Sequence, residues 1–207
     1  MAKKRRRCFR LLIYERMWQR WAGPCILIVL ASVVLWWVAP YIPFLPSSFR
    51  IFGLIPLRIL TLVPIPVFLI ILAYAYLARS LAWVQCRSGH LRIQTPIYPL
   101  AISYIRIKGV RPQRMAQVFN PAEQKTSQRS WLQPYWGRTV VVVEITNYPL
   151  SKTWLRFWFS PYLFTPNATG FVFLVEDWMA LSRQIDDSRA SWEMRRAERR
   201  AELQAGR

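Results

Sequence analysis

Two long uncharged runs limit what this chain can fold into. Ala22 to Ile42 carries no charged residue, and as a helix it measures about 31 Å, roughly the hydrocarbon thickness of a bilayer. Ile59 to Leu77 is also uncharged and measures about 28 Å in the same geometry. Between them lie Pro43, Pro46, Ser47, Ser48, Arg50, Gly53 and Pro56, residue types that make turns rather than helices. The pattern predicts a two-helix transmembrane hairpin, with spans over 22–42 and 57–78 and a short external loop over 43–56.

Charge sets the expected orientation. Residues 1–21 hold Lys3, Lys4, Arg5, Arg6, Arg7, Arg10, Arg16 and Arg20 against Glu15 alone. The connecting loop offers only Arg50, with Arg58 at the start of the second span, placed to snorkel to the outer headgroups. The positive-inside rule then keeps the basic N-terminal segment, and with it the C-terminus, in the cytoplasm of a multi-pass cell-membrane protein. Trp18 and Trp21 fall where an inner aromatic belt belongs, and Trp36, Trp37 and Tyr41 where an outer one belongs. A cleaved signal peptide is excluded: the apolar run is too long, and Val38-Ala39-Pro40 closes it without a small-x-small site. Pro64 and Pro66 are expected to kink the second helix. Neither run carries an ionisable residue at depth, so no transport site is read from them.

Past the spans the period of the sequence changes. Leu91 to Thr95 alternates apolar and polar residues, as a half-buried strand does. Leu100 to Ile107 reads as a second strand and Val110 to Val118 as a third. Residues 119–137 are polar, broken by Pro121 and Pro134, and read as a long hairpin loop. Thr139 to Thr146 is β-branched almost throughout and reads as a well-buried strand. Thr153 to Phe159 alternates in a way that predicts another strand. Phe171, Leu174, Val175, Trp178, Leu181 and Ile185 recur at helical spacing and predict an amphipathic helix. The domain so defined covers 85–187. Residues 188–207, rich in Arg and Glu, read as a solvated or frayed extension.

Two spans, short antiparallel strands and one closing helix resemble the bacterial membrane-anchored pleckstrin-homology-like domain proteins. The local likeness lies in Leu91-Arg92-Ile93 followed by Ile102-Ser103-Tyr104-Ile105-Arg106-Ile107, and the resemblance extends over Gln85 to Asp187, about half the chain. It implies an α+β membrane protein whose domain is a seven-strand, partly open antiparallel β-barrel or sandwich plugged by a C-terminal α-helix. It brings no ligand residues with it, and the aromatic and basic loop at 119–137 departs from it.

The chain does not read as an enzyme. His90 is the only histidine and lies beside the Ser88-Gly89 turn, where a structural role is the ordinary reading. Glu144 is expected to face solvent or pair with an arginine. Glu176 and Asp177 point about 100° apart on a helix and cannot face each other. Cys8, Cys25 and Cys86 lack metal-ligand spacing. No phosphate loop, zinc motif or nucleophile elbow is present, so neither cofactor nor metal is expected. Asn167-Ala168-Thr169 matches a glycosylation sequon, which a cytoplasmic location makes a coincidence.

What remains is binding. The net charge is +19 with 54% hydrophobic residues, a balance suited to anionic lipid headgroups. No helix-turn-helix, zinc-finger or RNP-like pattern accompanies the charge, which argues against nucleic acid and leaves only the basic tails for it. Arg129, Trp131, Tyr135, Trp136 and Arg138 form an aromatic and basic set that can meet headgroups or a protein partner. The competing reading is that these aromatics pack the long loop onto the sheet. An accessory or assembly subunit of a membrane enzyme or transporter, docking through its second span, is the alternative function.

Overall fold

The computed structural model describes residues 7–38, 50–51, 55–56 and 62–205. The chain is α+β and divides into two compact units, one of residues 1–13 with 80–207 and the other of residues 14–79.

The smaller unit holds most of two helices, α1 (Leu12–Val38) and α2 (Pro64–Leu81), both long and apolar enough to cross a membrane. α1 begins ten residues before the expected span, so Arg16 and Arg20 lie within it. Residues 39–42 of that span, 57–61 of the next and most of the 43–56 loop lie outside the described residues. What is described of the loop is two short paired strands, β2 (Arg50–Ile51) and β3 (Ile55–Pro56). The expected proline kink is corrected: α2 starts at Pro64, so Pro64 and Pro66 occupy its first turn, where a missing N–H leaves no bond unmade. It is α1 that carries an internal proline, Pro24. The helices meet through Trp18 and Tyr76, whose rings pack edge to face at 5.4 Å, and through Glu15 and Arg79, 3.4 Å apart. Cys25, Ala75 and Ala78 are buried, and small residues of this kind let helix backbones approach. Leu27, Leu30, Val34, Trp37 and Ile70 remain exposed.

The larger unit holds seven strands among its described residues, in two antiparallel sheets. The first has the order β1 (Cys8–Arg10), β4 (Trp83–Cys86), β5 (His90–Gln94), β6 (Pro99–Ser103). The second has the order β7 (Ile107–Arg114), β8 (Thr139–Ile145), β9 (Gly170–Phe173). β5 buries Leu91 and Ile93 and turns His90, Arg92 and Gln94 outward, the alternation its sequence requires. β8 buries Val140 through Val143 and Ile145, because β7 and β9 flank it. Glu144 pairs with Arg111 at 3.6 Å.

The unit is discontinuous, which the sequence reading did not anticipate. β1 comes from the basic N-terminal segment and pairs with β4, Cys8 opposite Gln85. The Leu11 amide donates to the Ala82 carbonyl at 3.1 Å and the Leu12 amide to the Leu174 carbonyl at 3.0 Å. Phe9, Leu11, Leu12 and Ile13 are buried.

Four further expectations are corrected. Residues 153–158 are not a strand but part of α5 (Lys152–Trp158), which Phe159 caps: the Ser151 hydroxyl accepts the Trp154 amide at 3.3 Å, and Leu155 and Phe159, four apart, are the buried residues. The 119–137 loop contains helix α4 (Thr126–Leu132), after a short α3 (Met115–Val118) that ends the expected third strand. Residues 170–173 are strand β9, and the closing helix α6 (Trp178–Ala205) starts later, where the Asp177 carboxylate accepts the Ala180 amide at 2.9 Å. α6 also runs unbroken through the stretch read as frayed, with Arg189 donating to the Lys108 carbonyl at 3.1 Å and Arg195 to the Ser88 carbonyl at 2.6 Å.

Gly170 is fixed by close approach. A Cβ there would lie 2.6 Å from the Val143 carbonyl oxygen and 3.3 Å from the Glu144 Cα, both on the partner strand. Gly170→Ala is expected to cost about 1–3 kcal/mol, the range for overpacking a core. Chemical denaturation of the detergent-solubilised protein checks it, and an unchanged midpoint contradicts the close fit.

Candidate functional site

The segment that joins β7 to β8 carries the aromatic and basic set read from the sequence. Its side chains are drawn toward the domain. Arg129, on α4, donates through Nε and Nη2 to the Pro121 carbonyl at 3.0 and 2.7 Å, so its guanidinium closes its own loop. Trp131 stacks on Tyr162 with ring centres 4.7 Å apart, and Tyr162 meets Phe119 edge to face. Tyr135 is buried and its hydroxyl donates to the Leu12 carbonyl at 3.3 Å. Trp136 is half-buried, and its indole nitrogen is enclosed without a hydrogen-bond partner. Arg138 is exposed and lies 5.9 Å over the Tyr135 ring, a cation–π contact. The structure therefore pairs Tyr135 with Arg138 and places Arg129 and Trp131 together on α4. Tyr135 works inside the fold, while the two guanidinium groups stay at the surface.

A second aromatic cluster lies on α5, a helix where alternation in the sequence predicts a strand. α5 presents Trp154 and Phe157 to solvent at 51% and 77% exposure. Trp158 anchors them, meeting Trp154 at 5.9 Å and Phe157 at 5.0 Å, both edge to face, and lying parallel to Tyr98 at 6.3 Å. Tyr98 itself sits on Phe159. Next to Tyr98, Ile97 is exposed, as is Leu150 before the helix. Lys152 and Arg156 supply charge on the same turns, with the Lys152 ammonium 5.9 Å over the Tyr148 ring. The sequence does signal this helix: Ser151 stands three residues before Trp154, Leu155 and Phe159 are spaced by four, and Pro149 and Pro161 bracket the segment.

α6 borders two shallow clefts. One, about 190 Å³, is lined by Cys86, Arg87, Ser88, Gln184, Asp187 and Arg195 among others. The other, about 290 Å³, lies by Tyr104, Ile107, Arg189, Trp192, Arg196 and Arg200. The first has a thiol at its wall, but burial pushes Cys86 up to about 12, against the smaller opposing effect of hydrogen bonds from Tyr104 and Ser188. Burial thus keeps the thiol protonated and disfavours the thiolate that a nucleophile needs. Burial also raises the Tyr104 hydroxyl, which donates to the Arg87 carbonyl at 2.8 Å. His90 is pushed down, by burial first and then by Arg87 and Arg92, and so stays neutral at pH 7. Among the described residues no group of three or more His, Cys, Asp or Glu side chains gathers as a metal site.

The contrast between the cysteines is testable. Cys8 is exposed and Cys86 buried, so a maleimide at pH 8 is expected to modify Cys8 within minutes and Cys86 only after denaturation. Peptide mapping of the alkylated protein reads this, and equal rates at both contradict it.

No family model matches the chain, and no curated protein or solved structure shows significant similarity to it.

Proposed function

We propose that this chain is a two-span, non-enzymatic protein of the cell membrane that holds a pleckstrin-homology-like domain on the cytoplasmic side and presents it to anionic lipid headgroups or to a protein partner. The observation that carries this reading is the attachment of the apolar helices to the domain. α1 follows β1 after one residue and α2 leads into β4 after one residue, and β1 and β4 are paired neighbours in one sheet. A domain joined this way has no linker at either point. Both helices also expose large apolar side chains along their length, which suits lipid and is costly in water. The excess of cations before α1 favours the cytoplasmic side for the domain. Four strands in one sheet, three in the next and a closing helix support the pleckstrin-homology-like reading. The exposed side chains of Arg129 and Arg138 support a contact role for that set, Arg138 more than Arg129, whose guanidinium is engaged by the Pro121 carbonyl.

Extraction at alkaline pH tests the membrane half of this proposal. The protein is expected to stay in the membrane pellet in sodium carbonate and to be released by detergent. Release into the carbonate supernatant overturns it.

A further inference from the structure

Fold stability does not account for the surface of α5. Two residues of this turn, Leu155 and Phe159, are taken into the core. Trp154 and Phe157 are not, and with Ile97 and Leu150 they make an exposed apolar knob at 51%, 77%, 53% and 40% exposure. Trp158 packs against both Trp154 and Phe157 and is itself stacked on Tyr98. Its charge has one sign. Lys152 and Arg156 are on the helix, and no Asp or Glu occurs between Glu144 and Glu176 or between Glu15 and Glu123, stretches that include α5 and the whole of β4, β5 and β6.

Resting on the membrane reading above, we infer that α5 is an interfacial wedge: Trp154 and Phe157 enter the boundary between headgroups and acyl chains of an anionic bilayer, and Lys152 and Arg156 meet the lipid phosphates. Aromatic rings with polar edges partition to that boundary, and cations beside them are drawn to an anionic leaflet. The knob is complementary in charge to an anionic plane and needs no pocket in its partner. Within the domain, Arg10 pairs with Trp83, Trp83 with Gln94 and Gln94 with Pro99, so the turn that carries Ile97 and Tyr98 lies at the same end of the sheet as the points where the apolar helices join it.

The full chain with Cys8→Ser and Phe157→Cys, labelled at 157 with an environment-sensitive fluorophore, tests the inference in nanodiscs of phosphatidylcholine with or without phosphatidylserine. Some of the lipids carry a spin label near the headgroup. The expected result is a blue-shifted label quenched by the spin-labelled lipid, more strongly with phosphatidylserine, while a label at exposed Gln204, near the end of α6, stays water-like. Replacing Lys152 and Arg156 by Gln is expected to weaken the inserted state about fivefold per charge removed. A water-like label at 157 in both lipids overturns the wedge and leaves the membrane reading standing. A blue shift without lipid quenching, lost on dilution, identifies a protein contact and also overturns it. Failure of the protein to enter the discs removes the membrane reading and the wedge together.

Discussion

Phe171→Ala is expected to remove about 3–5 kcal/mol of stability from the domain, the range for emptying a buried aromatic site. Phe171 is fully buried on β9 and sits at the centre of an aromatic cluster. Phe173 lies parallel to it at 6.2 Å, Tyr148 meets it edge to face at 5.4 Å, and Phe164 packs tilted at 5.4 Å. Phe164 also bridges to it through the backbone. Collapse around the missing ring is resisted, because Tyr148 is tied through its hydroxyl to the Gly170 carbonyl and Val143, opposite Phe171 on β8, is itself buried. Domains of this size are stable by only about 5–15 kcal/mol, so the loss is about a fifth of the whole or more. Denaturant titration of the detergent-solubilised protein, read by near-ultraviolet circular dichroism, measures it. A change below about 1 kcal/mol contradicts the packing described.

The second large effect concerns the inserted helices. Replacing residues 14–79 by a short Gly-Ser linker is expected to leave a folded domain, whereas residues 80–207 alone are expected not to fold cooperatively. The Leu11 amide bonds the Ala82 carbonyl, so the two ends to be joined are already neighbours. Removing residues 1–13 strips β1 from β4 and takes away Phe9, Leu11, Leu12 and Ile13, all buried. At about 1.5–3 kcal/mol for each apolar side chain, the loss is on the order of the domain's whole stability. It also leaves the Tyr135 hydroxyl without the Leu12 carbonyl. Thermal melts of the two proteins decide the matter. A cooperative transition in the 80–207 fragment at the temperature of the linked protein contradicts the discontinuous domain.

The parts of this fold that a reader of the sequence finds are those whose pattern has only one solution. Uncharged runs as long as 22–42 and 59–77 fit few structures other than apolar helices. Thr139 to Thr146, with its run of valines, has little choice but a buried strand. Leu91 and Ile93 alternate with Arg92 and Gln94, and β5 follows. The missed elements are those where two periods fit. Thr153 to Phe159 places apolar residues at every second position, yet Leu155 and Phe159 also satisfy a helix, and the Ser151 cap decides for the helix. Phe171 to Val175 is apolar throughout and has no period to read; its pairing with β8 makes the first part a strand. β1 is three residues in a run of cations, and its partner lies more than seventy residues away beyond both apolar helices. The candidate site divides in the same way. The cluster of Arg129, Trp131, Tyr135, Trp136 and Arg138 is visible in sequence, but whether each ring faces inward depends on Tyr162 and Leu12, which are remote in the chain.

The proposed arrangement is a membrane hairpin inserted into a cytoplasmic domain. A membrane-impermeant maleimide applied to intact cells tests it most directly, with the native protein and with a Ser47→Cys variant. The account predicts that the thiol introduced at position 47 is labelled in intact cells and that Cys8 reacts only once the membrane is made permeable. Labelling of Cys8 in intact cells, or protection of the introduced thiol there with labelling on permeabilisation, would contradict it.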